Sequence, residues 1–451
     1  MLAGGIGASA LIALPDITRT GGRGDRPAAS GHSAGRYVFV YGTLQAASSP
    51  GGSVAAAVTP TSRSRSLPAA IPVATSLATA PVLSPDQATV ALVTVKDVPG
   101  GSKVTLTLID TASATVAKRG SVTISGLPDG TNILATPVFA PGAAIIPLVL
   151  AITVPTGQHL VRKLNPHTGN AVTRSVTTWQ SHHALAYFDS ATGAFAGPFH
   201  LADQPSLALS TAVATARDLF VWTTREPQPD RTAKTHPKPP PLPQLNVYPL
   251  GSATPRLSVP ALAPWPGGEP VAALPTGDVA RLVNGRCLQV CSARTGDVTQ
   301  LVVPPLNVIR AKPSAVTMQA RPDGTLFLTK PGIGRAAVLD PADSFRVTAS
   351  VSFPEPAAPF GAPWSKAVLS PSGDTLFVLG GAAAGGIAAY DVATGGLTAS
   401  YSQGQQYAGL YQTPSGTLLA VAAKNPRLAF FSSTLSPLGT ADTNLHVSAV
   451  F

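Results

Sequence analysis

Short apolar runs separated by small polar turns make up most of the chain. Runs such as Val104–Leu108, Thr375–Leu379 and Thr417–Val421 are rich in β-branched and large apolar residues, which favour strands. Their nearly continuous hydrophobicity is typical of strands that are buried on both faces of a sheet. No stretch has the 3.6-residue apolar period of an amphipathic helix. The pattern therefore predicts an all-β protein.

Two kinds of turn recur between the runs. In the first, a proline sets φ at one corner and Asp, Ser or Gly completes the turn; the copies are Leu83–Asp86, Phe139–Gly142, Arg321–Gly324, Leu369–Gly373 and Gln412–Gly416. In the second kind, an Asp, Asn or Ser is followed by any two residues and then by Thr-Gly. Its side-chain oxygen can accept backbone N–H groups, and the Gly takes a left-handed conformation. Its copies are Asn165–Gly169, Asp189–Gly193, Ser292–Gly296 and Asp391–Gly395, with degenerate copies starting at Asp110 and Asp340.

The two turns together define a repeated unit of about 40–50 residues with four short strands, which is typical of a β-propeller. The strands fall into groups at 36–75, 80–126, 133–201, 206–262, 269–312, 314–356, 365–405 and 407–443. We therefore expect residues 36–451 to form a single propeller of seven or eight four-stranded blades.

The two ends of the chain predict how the propeller closes. Tyr37–Tyr41 resembles the second strand of a blade and has no first strand before it, whereas Leu445–Phe451 resembles an innermost strand with no blade of its own. We expect the C-terminal strand to pair with the N-terminal blade around Tyr37–Leu44. Such pairing would remove an exposed sheet edge.

The run Leu369–Val378 followed by Ile387–Gly395 resembles the YVTN-type propeller repeat. That repeat is shared by many exported bacterial proteins, the seven-bladed lactonases and the quinoprotein dehydrogenase-like propellers. The resemblance implies an exported propeller, and three functions stay open: a binding or scaffold module, a hydrolase or lactonase that uses the central funnel, and a subunit of a quinoprotein-type redox complex. The carboxylates lie mostly in turn positions and there is no haem motif, so we favour the binding module, without catalytic residues or cofactors.

Composition supports a folded, turn-rich chain. Of 451 residues, 44% are hydrophobic and 12% charged, with 42 Gly and 45 Pro and a mean hydropathy of +0.23. The net charge is +10, but the basic residues are scattered rather than clustered as in nucleic-acid-binding proteins. A basic surface that aids solubility is the simplest interpretation, and an anionic partner such as a cell-wall polymer or a lipid surface is the alternative. We expect a monomer with a protein or cell-envelope partner.

The N-terminal 35 residues predict export. Residues 1–14 resemble the apolar core of a secretory signal, and residues 15–35 are Gly- and Ser-rich, as in a flexible linker. An apolar tail without function is the alternative. No later stretch of about 20 residues is apolar enough to span a bilayer.

One overlong unit carries the candidate binding residues. An insertion near 155–182 predicts an extra hairpin, and its neighbourhood is rich in aromatic and imidazole side chains: Trp179, His182, His183 and His200, with His159 and His167 nearby. Such side chains suit a sugar or small-ligand pocket, and ordinary loop packing or a metal are the alternatives. Because neighbours in a strand point to opposite faces, His182 and His183 cannot both bind one ion from a regular strand. We predict no metal site.

Three other features predict less chemistry. The segment Arg225–Pro243 ends in a polyproline-type run, which could dock on a partner or serve as a solvated spacer.

Cys287 and Cys291 lie in one predicted strand, where residues four apart are separated by ~13 Å, so we expect two unbonded, buried thiols. Gly31–Gly35 matches the G-x-S-x-G nucleophile elbow, but it lacks the strand-to-helix context that exposes such a serine.

Overall fold

Strands make up nearly all regular structure in the described part of the chain. The computed structural model describes residues 38–44, 53–58, 81–84, 88–140, 142–164, 171–201, 207–225, 244–260, 271–274, 276–283, 287–303, 317–320, 325–330, 334–353, 367–379, 386–402, 407–413, 416–422, 427–442 and 445–450. They contain 31 strands, and their one helix is a 3-10 turn at Pro341–Asp343. The predicted all-β class is confirmed.

Seven sheets have four strands each, arranged in sequence order. The first three are β3 (Val82–Leu83), β4 (Thr89–Val98), β5 (Gly101–Asp110) and β6 (Thr115–Ser125); β7 (Asn132–Pro137), β8 (Ile145–Leu164), β9 (Ala171–Asp189) and β10 (Phe195–His200); and β11 (Leu207–Ala214), β12 (Asp218–Arg225), β13 (Gln244–Pro249) and β14 (Leu257–Pro260). The next two are β15 (Val271–Ala273), β16 (Val279–Val283), β17 (Cys287–Cys291) and β18 (Val298–Val302); and β19 (Thr317–Ala320), β20 (Leu326–Lys330), β21 (Arg335–Asp340) and β22 (Arg346–Ser352). The last two are β23 (Ala367–Leu369), β24 (Thr375–Leu379), β25 (Ile387–Asp391) and β26 (Leu397–Tyr401); and β27 (Tyr407–Gln412), β28 (Leu418–Ala422), β29 (Arg427–Phe431) and β30 (Pro437–Asp442). Neighbouring strands are antiparallel, and the predicted strand groups from residue 80 onwards match these sheets.

An eighth sheet joins the two ends of the described chain. Its order is β2 (Ser53–Val58), β1 (Val38–Leu44) and β31 (Leu445–Val450). Strand β31 pairs antiparallel with β1, from Val40 opposite Val450 to Leu44 opposite Leu445, with a register shift between Tyr41 and Gly42. The predicted pairing of the C-terminal strand is therefore confirmed. The expected fourth strand of this blade is not among the described residues, so the sheet has three strands where we predicted four.

Alternate residues of a strand pack on opposite sides of its sheet. In β24, Leu376 and Val378 join residues of the β19–β22 sheet in one core, whereas Phe377 joins residues of the β27–β30 sheet in another. Phe377 is fully buried, and burial of such a side chain contributes roughly 1.5–3 kcal/mol to folding. The predicted burial of both strand faces is confirmed.

Contacts divide the chain into two compact units: Met1–Leu92 with Thr107–Lys118 and Trp265–Phe451, and Val93–Leu106 with Arg119–Pro264. In the first unit, apolar cores form between consecutive sheets from β15 to β30. In the second unit, a core forms between the β7–β10 and β11–β14 sheets. The single propeller domain predicted over 36–451 stays a prediction.

The polar turn at Asp391–Gly395 is built around a carboxylate. Asp391 Oδ1 accepts hydrogen bonds from the N–H and the hydroxyl of Thr394, both at 2.7 Å, and these bonds lower the pKa of Asp391. Gly395 has a φ of 69°, in the left-handed region, and its N–H donates to Asp391 O. Side-chain oxygens also accept backbone N–H groups in the copies at Asp110, Asp189, Ser292 and Asp340. The predicted turn chemistry is confirmed in these copies, while Asn165–Gly169 lies outside the described residues.

A side-chain hydroxyl stabilises three of the Pro-centred turns, a contact that we did not predict from the sequence. The residue before the proline accepts a backbone N–H four or five residues later: Ser84 from Thr89 at 2.9 Å, Ser370 from Thr375 at 3.0 Å and Thr413 from Thr417 at 3.0 Å. These hydroxyl-bearing residues are buried. A buried acceptor that pairs with a backbone donor contributes about 0.5–1.5 kcal/mol. The signal was present in the sequence as Ser-Pro and Thr-Pro.

The cysteine prediction is confirmed in its main point. Cys287 and Cys291 are the two ends of β17, and both thiols are free. Cys291 is buried, and burial together with nearby Asp278 raises its pKa to about 11. Cys287 is only half-buried, so the expectation of two buried thiols is wrong for that residue, which begins the strand and pairs with Val283 and Val302 at the ends of β16 and β18.

The segments 1–14, 15–35 and 226–243 lie outside the described residues. The expectations of a signal-like segment, a linker and a polyproline-type segment therefore stay predictions. No helix in the ranges given above is long and apolar enough to cross a membrane.

Candidate functional site

One hairpin is much longer than the sheet to which it belongs. Strands β8 and β9 have 20 and 19 residues, whereas β7 and β10 on either side have six each. Pairing with β7 ends at Thr153 of β8, and pairing with β10 covers β9 from Ala184 onwards. Residues 154–164 and 171–181 therefore continue as a two-stranded ribbon beyond the four-stranded part, over about ten residue pairs or ~34 Å. The extra hairpin predicted near 155–182 is confirmed, and we call these residues the ribbon.

A β-bulge marks the place where the ribbon leaves the sheet. Pro155 is opposite Trp179 and Gly157 is opposite Thr178, so Thr156 is an extra residue in β8. Proline cannot donate to a strand ladder and is typical of such irregular positions. The hydroxyl of Thr178 donates to Gly157 O at 3.0 Å and ties the two strands together above the bulge. Bulges turn a strand and redirect its side chains, and here the bulge lies beside an exposed tryptophan.

Four residues of β9 share one face of the ribbon. Strand β9 has no bulge, so alternate residues point to the same side: Thr173, Ser175, Thr177 and Trp179. The hydroxyl of Ser175 donates to Gln158 Oε1 at 3.2 Å, which puts Gln158 of β8 on this face as well. Thr173, Ser175 and Gln158 are exposed and Thr177 is half-buried. We call these five residues the Trp179 face.

Trp179 is the most unusual member of this face. Its side chain is 52% exposed. The other large exposed hydrophobic side chains of the described ranges are aliphatic and lie on outermost strands of their sheets: Val116, Val298, Val302, Leu397 and Leu438. Trp179 alone among them is aromatic and lies on an inner strand of its sheet.

The structure places the four predicted binding residues on the neighbouring strands β9 and β10. His183 lies on the side of β9 that bears Trp179, four residues away, which corresponds to ~13 Å along the strand. His182 points to the opposite side, and both imidazoles are half-buried. His200 is the last residue of β10, and its backbone pairs with Ala184. His159 pairs through its backbone with Val176, and His167 lies outside the described residues.

Below the ribbon, a buried tyrosine holds β9 against the next sheet. Tyr187 donates its hydroxyl proton to Ser252 O at 2.5 Å, in the turn between β13 and β14. Burial, together with neighbouring Tyr248, raises the pKa of Tyr187 far above its usual value, and burial raises the pKa of Tyr248 to about 12. The ring of Tyr187 also packs at 6.2 Å from that of Phe199. The base of the hairpin is therefore firmly anchored.

Several of the described carboxylates stabilise turns and loops. Asp110, Asp189, Asp278, Asp340 and Asp391 each accept backbone N–H groups. The described part of the chain has no group of three or more His, Cys, Asp or Glu side chains that could hold a metal ion. The structural feature that sequence analysis missed is the Trp179 face itself. Its signal was the alternation Thr173-x-Ser175-x-Thr177-x-Trp179, which has the period of a strand.

Comparison with known proteins shows the fold. No protein-family model matches the sequence, and a comparison with curated proteins gave no match. Among solved structures, dihydro-heme d1 dehydrogenase NirN in complex with DHE is similar with a TM-score of 0.52 and 14% identity, over 98% of this chain and 79% of that one. BamB from Moraxella catarrhalis has a TM-score of 0.43 and 13% identity, over 78% and 87% of the two chains. A putative 6-phosphogluconolactonase from Bacteroides uniformis has a TM-score of 0.41 and 11% identity, over 92% and 99%.

The likeness to NirN, together with the seven sheets of four antiparallel strands, shows that the chain has the β-propeller fold. At 14% identity the likeness carries no statement about activity.

Proposed function

We propose that this chain is an exported, monomeric β-propeller that acts as a binding or scaffold module, and that the ribbon is its contact element. One observation carries the proposal: two strands of a single sheet extend past their neighbours and present an exposed tryptophan. The three residues of the Trp179 face with exposed polar side chains do not pack into a core. A partner surface that covers Trp179 would remove its apolar area from water.

The anchoring of the hairpin base supports a role in binding. Preorganised contact elements lose less conformational freedom when they bind, and therefore bind more tightly for the same contacts. The bond from Thr178 to Gly157 restrains β9 next to Trp179. The bond from Tyr187 to Ser252 and the packing of Leu185 between two sheets hold the four-stranded part of β9 from which the ribbon projects.

Shortening the ribbon tests the proposal. In one variant, residues 155–179 are replaced by Asn-Gly, a pair that favours a two-residue hairpin turn, so that the paired residues Val154 and Gln180 flank the new turn. We expect the full chain to sediment with cell-envelope material and the shortened chain to stay in solution, with unfolding temperatures that differ little. As a matched control, Leu397→Ala removes an exposed hydrophobic side chain on β26 and should leave retention unchanged. Equal retention of the shortened and full chains would exclude the ribbon as the contact element.

We infer in addition that pairing of β31 with β1 closes the propeller as a ring, and that residues 1–14 direct export in the manner of the YVTN-type propellers that the repeat resembles. The pairing of the first and last described strands supports the first statement. The apolar sequence of residues 1–14 supports the second. Fusion of residues 1–35 to a reporter enzyme that is active only outside the cytoplasm tests export, and a silent reporter would count against it.

A further inference from the structure

The face around Trp179 combines an aromatic surface with a row of hydrogen-bonding groups. Thr173, Ser175 and Thr177 place three hydroxyls at every second position of β9, in line with the indole of Trp179. Residues two apart in a strand are separated by about 6.6–6.8 Å. The row is therefore regular and extended, with one flat apolar group at its end. Gln158 adds an amide next to Ser175.

A pyranose ring has matching chemistry, because it presents C–H groups on its face and hydroxyls around its edge. An exposed indole packs well against such a C–H face, and hydroxyl and amide side chains can both donate to and accept from sugar hydroxyls. A partner built from apolar side chains would leave the hydroxyls of Thr173, Ser175 and Thr177 without water and without new partners, which costs binding free energy. The composition of the face therefore favours a glycan over an apolar protein surface.

Charge narrows the class of glycan. Residues 130–188, which include the whole ribbon, contain no Asp or Glu, whereas they include Arg162, Lys163 and Arg174. The backbone register places Arg162 opposite Thr173 and Arg174 opposite Val161, so the basic positions are grouped in the outer half of the ribbon. The entire chain has a net charge of +10. The positive potential attracts an anionic polymer and repels a cationic one.

We infer that the Trp179 face binds an acidic polysaccharide, with the indole packed on one sugar ring and the hydroxyls of β9 bonded to the following units. This inference rests on the proposed function of the ribbon and identifies its ligand class. Trp179 and Thr177 touch the sugar, while the net positive charge of the ribbon sequence attracts the carboxylates of the polymer. His182 lies on the opposite side of β9 and takes no part.

Binding of three soluble polymers tests the inference with the full chain. Polygalacturonate carries sugar rings and carboxylates, dextran carries neutral sugar rings, and polyglutamate carries carboxylates without sugars. Affinity electrophoresis or calorimetry should rank polygalacturonate first. Trp179→Ala should weaken polygalacturonate binding by about tenfold or more, the equivalent of ~1.4 kcal/mol, and leave any polyglutamate binding unchanged. Thr177→Val, which keeps the shape of the side chain, should weaken binding several-fold.

The controls separate folding from binding. Trp179 is half exposed, so its variant should keep the unfolding temperature of the parent chain. Gln180→Ala changes an exposed residue on the opposite side of β9 and should bind as the parent does. Polyglutamate binding as tight as polygalacturonate binding, or a Trp179→Ala variant with unchanged affinity for polygalacturonate, would overturn the inference.

Chemical treatment of envelope material tests the glycan ligand separately from the role of the ribbon as a contact element. Periodate, which cleaves the vicinal diols of sugars, should abolish retention of the full chain, whereas protease treatment should not. If protease abolishes retention and shortening of the ribbon does so too, the ribbon binds a protein, and only the glycan inference falls. If shortening of the ribbon has no effect on retention, the proposed function falls as well.

Discussion

The hydroxyl of Tyr187 in β9 donates a hydrogen bond to the carbonyl oxygen of Ser252, in a turn of the neighbouring sheet, at 2.5 Å. Tyr187 is only 3% exposed, and its sequence distance from Ser252 is 65 residues. The bond therefore connects two sheets of one unit, near the end of β9 that lies opposite the ribbon, about 20 Å along the strand from residue 181. It gives the projecting hairpin a fixed base, which the proposed function requires.

Replacement of Tyr187 by Phe should lower the free energy of unfolding by about 1 kcal/mol, because it removes one hydrogen bond and leaves the packing of the ring in place. Chemical denaturation measures this difference. Tyr248→Phe is the matched control, since Tyr248 is buried beside Tyr187 but does not take part in this bond. An equal loss in both variants would mean that the bond to Ser252 contributes nothing specific.

Gly120 of β6 has no space for a side chain. A Cβ atom there would lie 2.2 Å from the carbonyl oxygen of Gly193 and 2.7 Å from the ring of Phe188, in the adjacent sheet. Gly120→Ala should therefore destabilise the fold by roughly 1–3 kcal/mol, the usual cost of overpacking. Gly157→Ala is the control, because its nearest contact would be Thr178 Oγ1 at 3.4 Å. Calorimetric unfolding should show a clear decrease for the first variant and little change for the second.

The carboxylate of Asp391 should make folding depend on pH in the acid range. Hydrogen bonds from Thr394 lower its pKa in the folded state, so its ionised form contributes stability above the ordinary carboxyl pKa. That contribution is lost as pH falls through the lowered pKa. Asp391→Asn should therefore unfold at a lower temperature than the parent at pH 7, and the gap should shrink below pH ~4. Asp374→Asn, in the exposed turn before β24, is the control for removal of one negative charge.

Deletion of residues 445–451 removes β31, whose residues from Leu445 to Val450 pair with β1. If this pairing closes a ring, the deletion should abolish the single cooperative transition of thermal unfolding, rather than only lower its midpoint slightly. The physical reason is that β1 would lose its partner on one side and leave backbone donors and acceptors unpaired. Deletion of Phe451 alone is the control. Unfolding identical to that of the full chain would contradict closure.

Local chemistry made much of the fold predictable. The turn at Asp391–Gly395 requires a capping carboxylate and a left-handed glycine, and both are visible in the sequence. The end pairing of β31 was predictable because two strand patterns each lacked a partner. These features depend on short segments, so a single sequence is enough to identify them.

The candidate site was less predictable, because it depends on long-range register. Sequence analysis grouped Trp179 with His182 and His183, but alternation along β9 puts His182 on the other side. The endpoints of β7 and β10 decide which residues leave the sheet, and these endpoints have no distinct sequence signal. The exposure of Trp179 follows from those endpoints.

Hydrogen–deuterium exchange of the full chain, with and without solubilised envelope polymer, shows directly whether the ribbon is the contact element. We expect slower exchange of backbone amides in residues 156–164 and 171–180 when the polymer is present, with little change in the buried strand β24 of another sheet. Protection that appears elsewhere in the chain, while the amides of the ribbon exchange at the same rate with and without the polymer, would contradict the claim that the ribbon is the contact element.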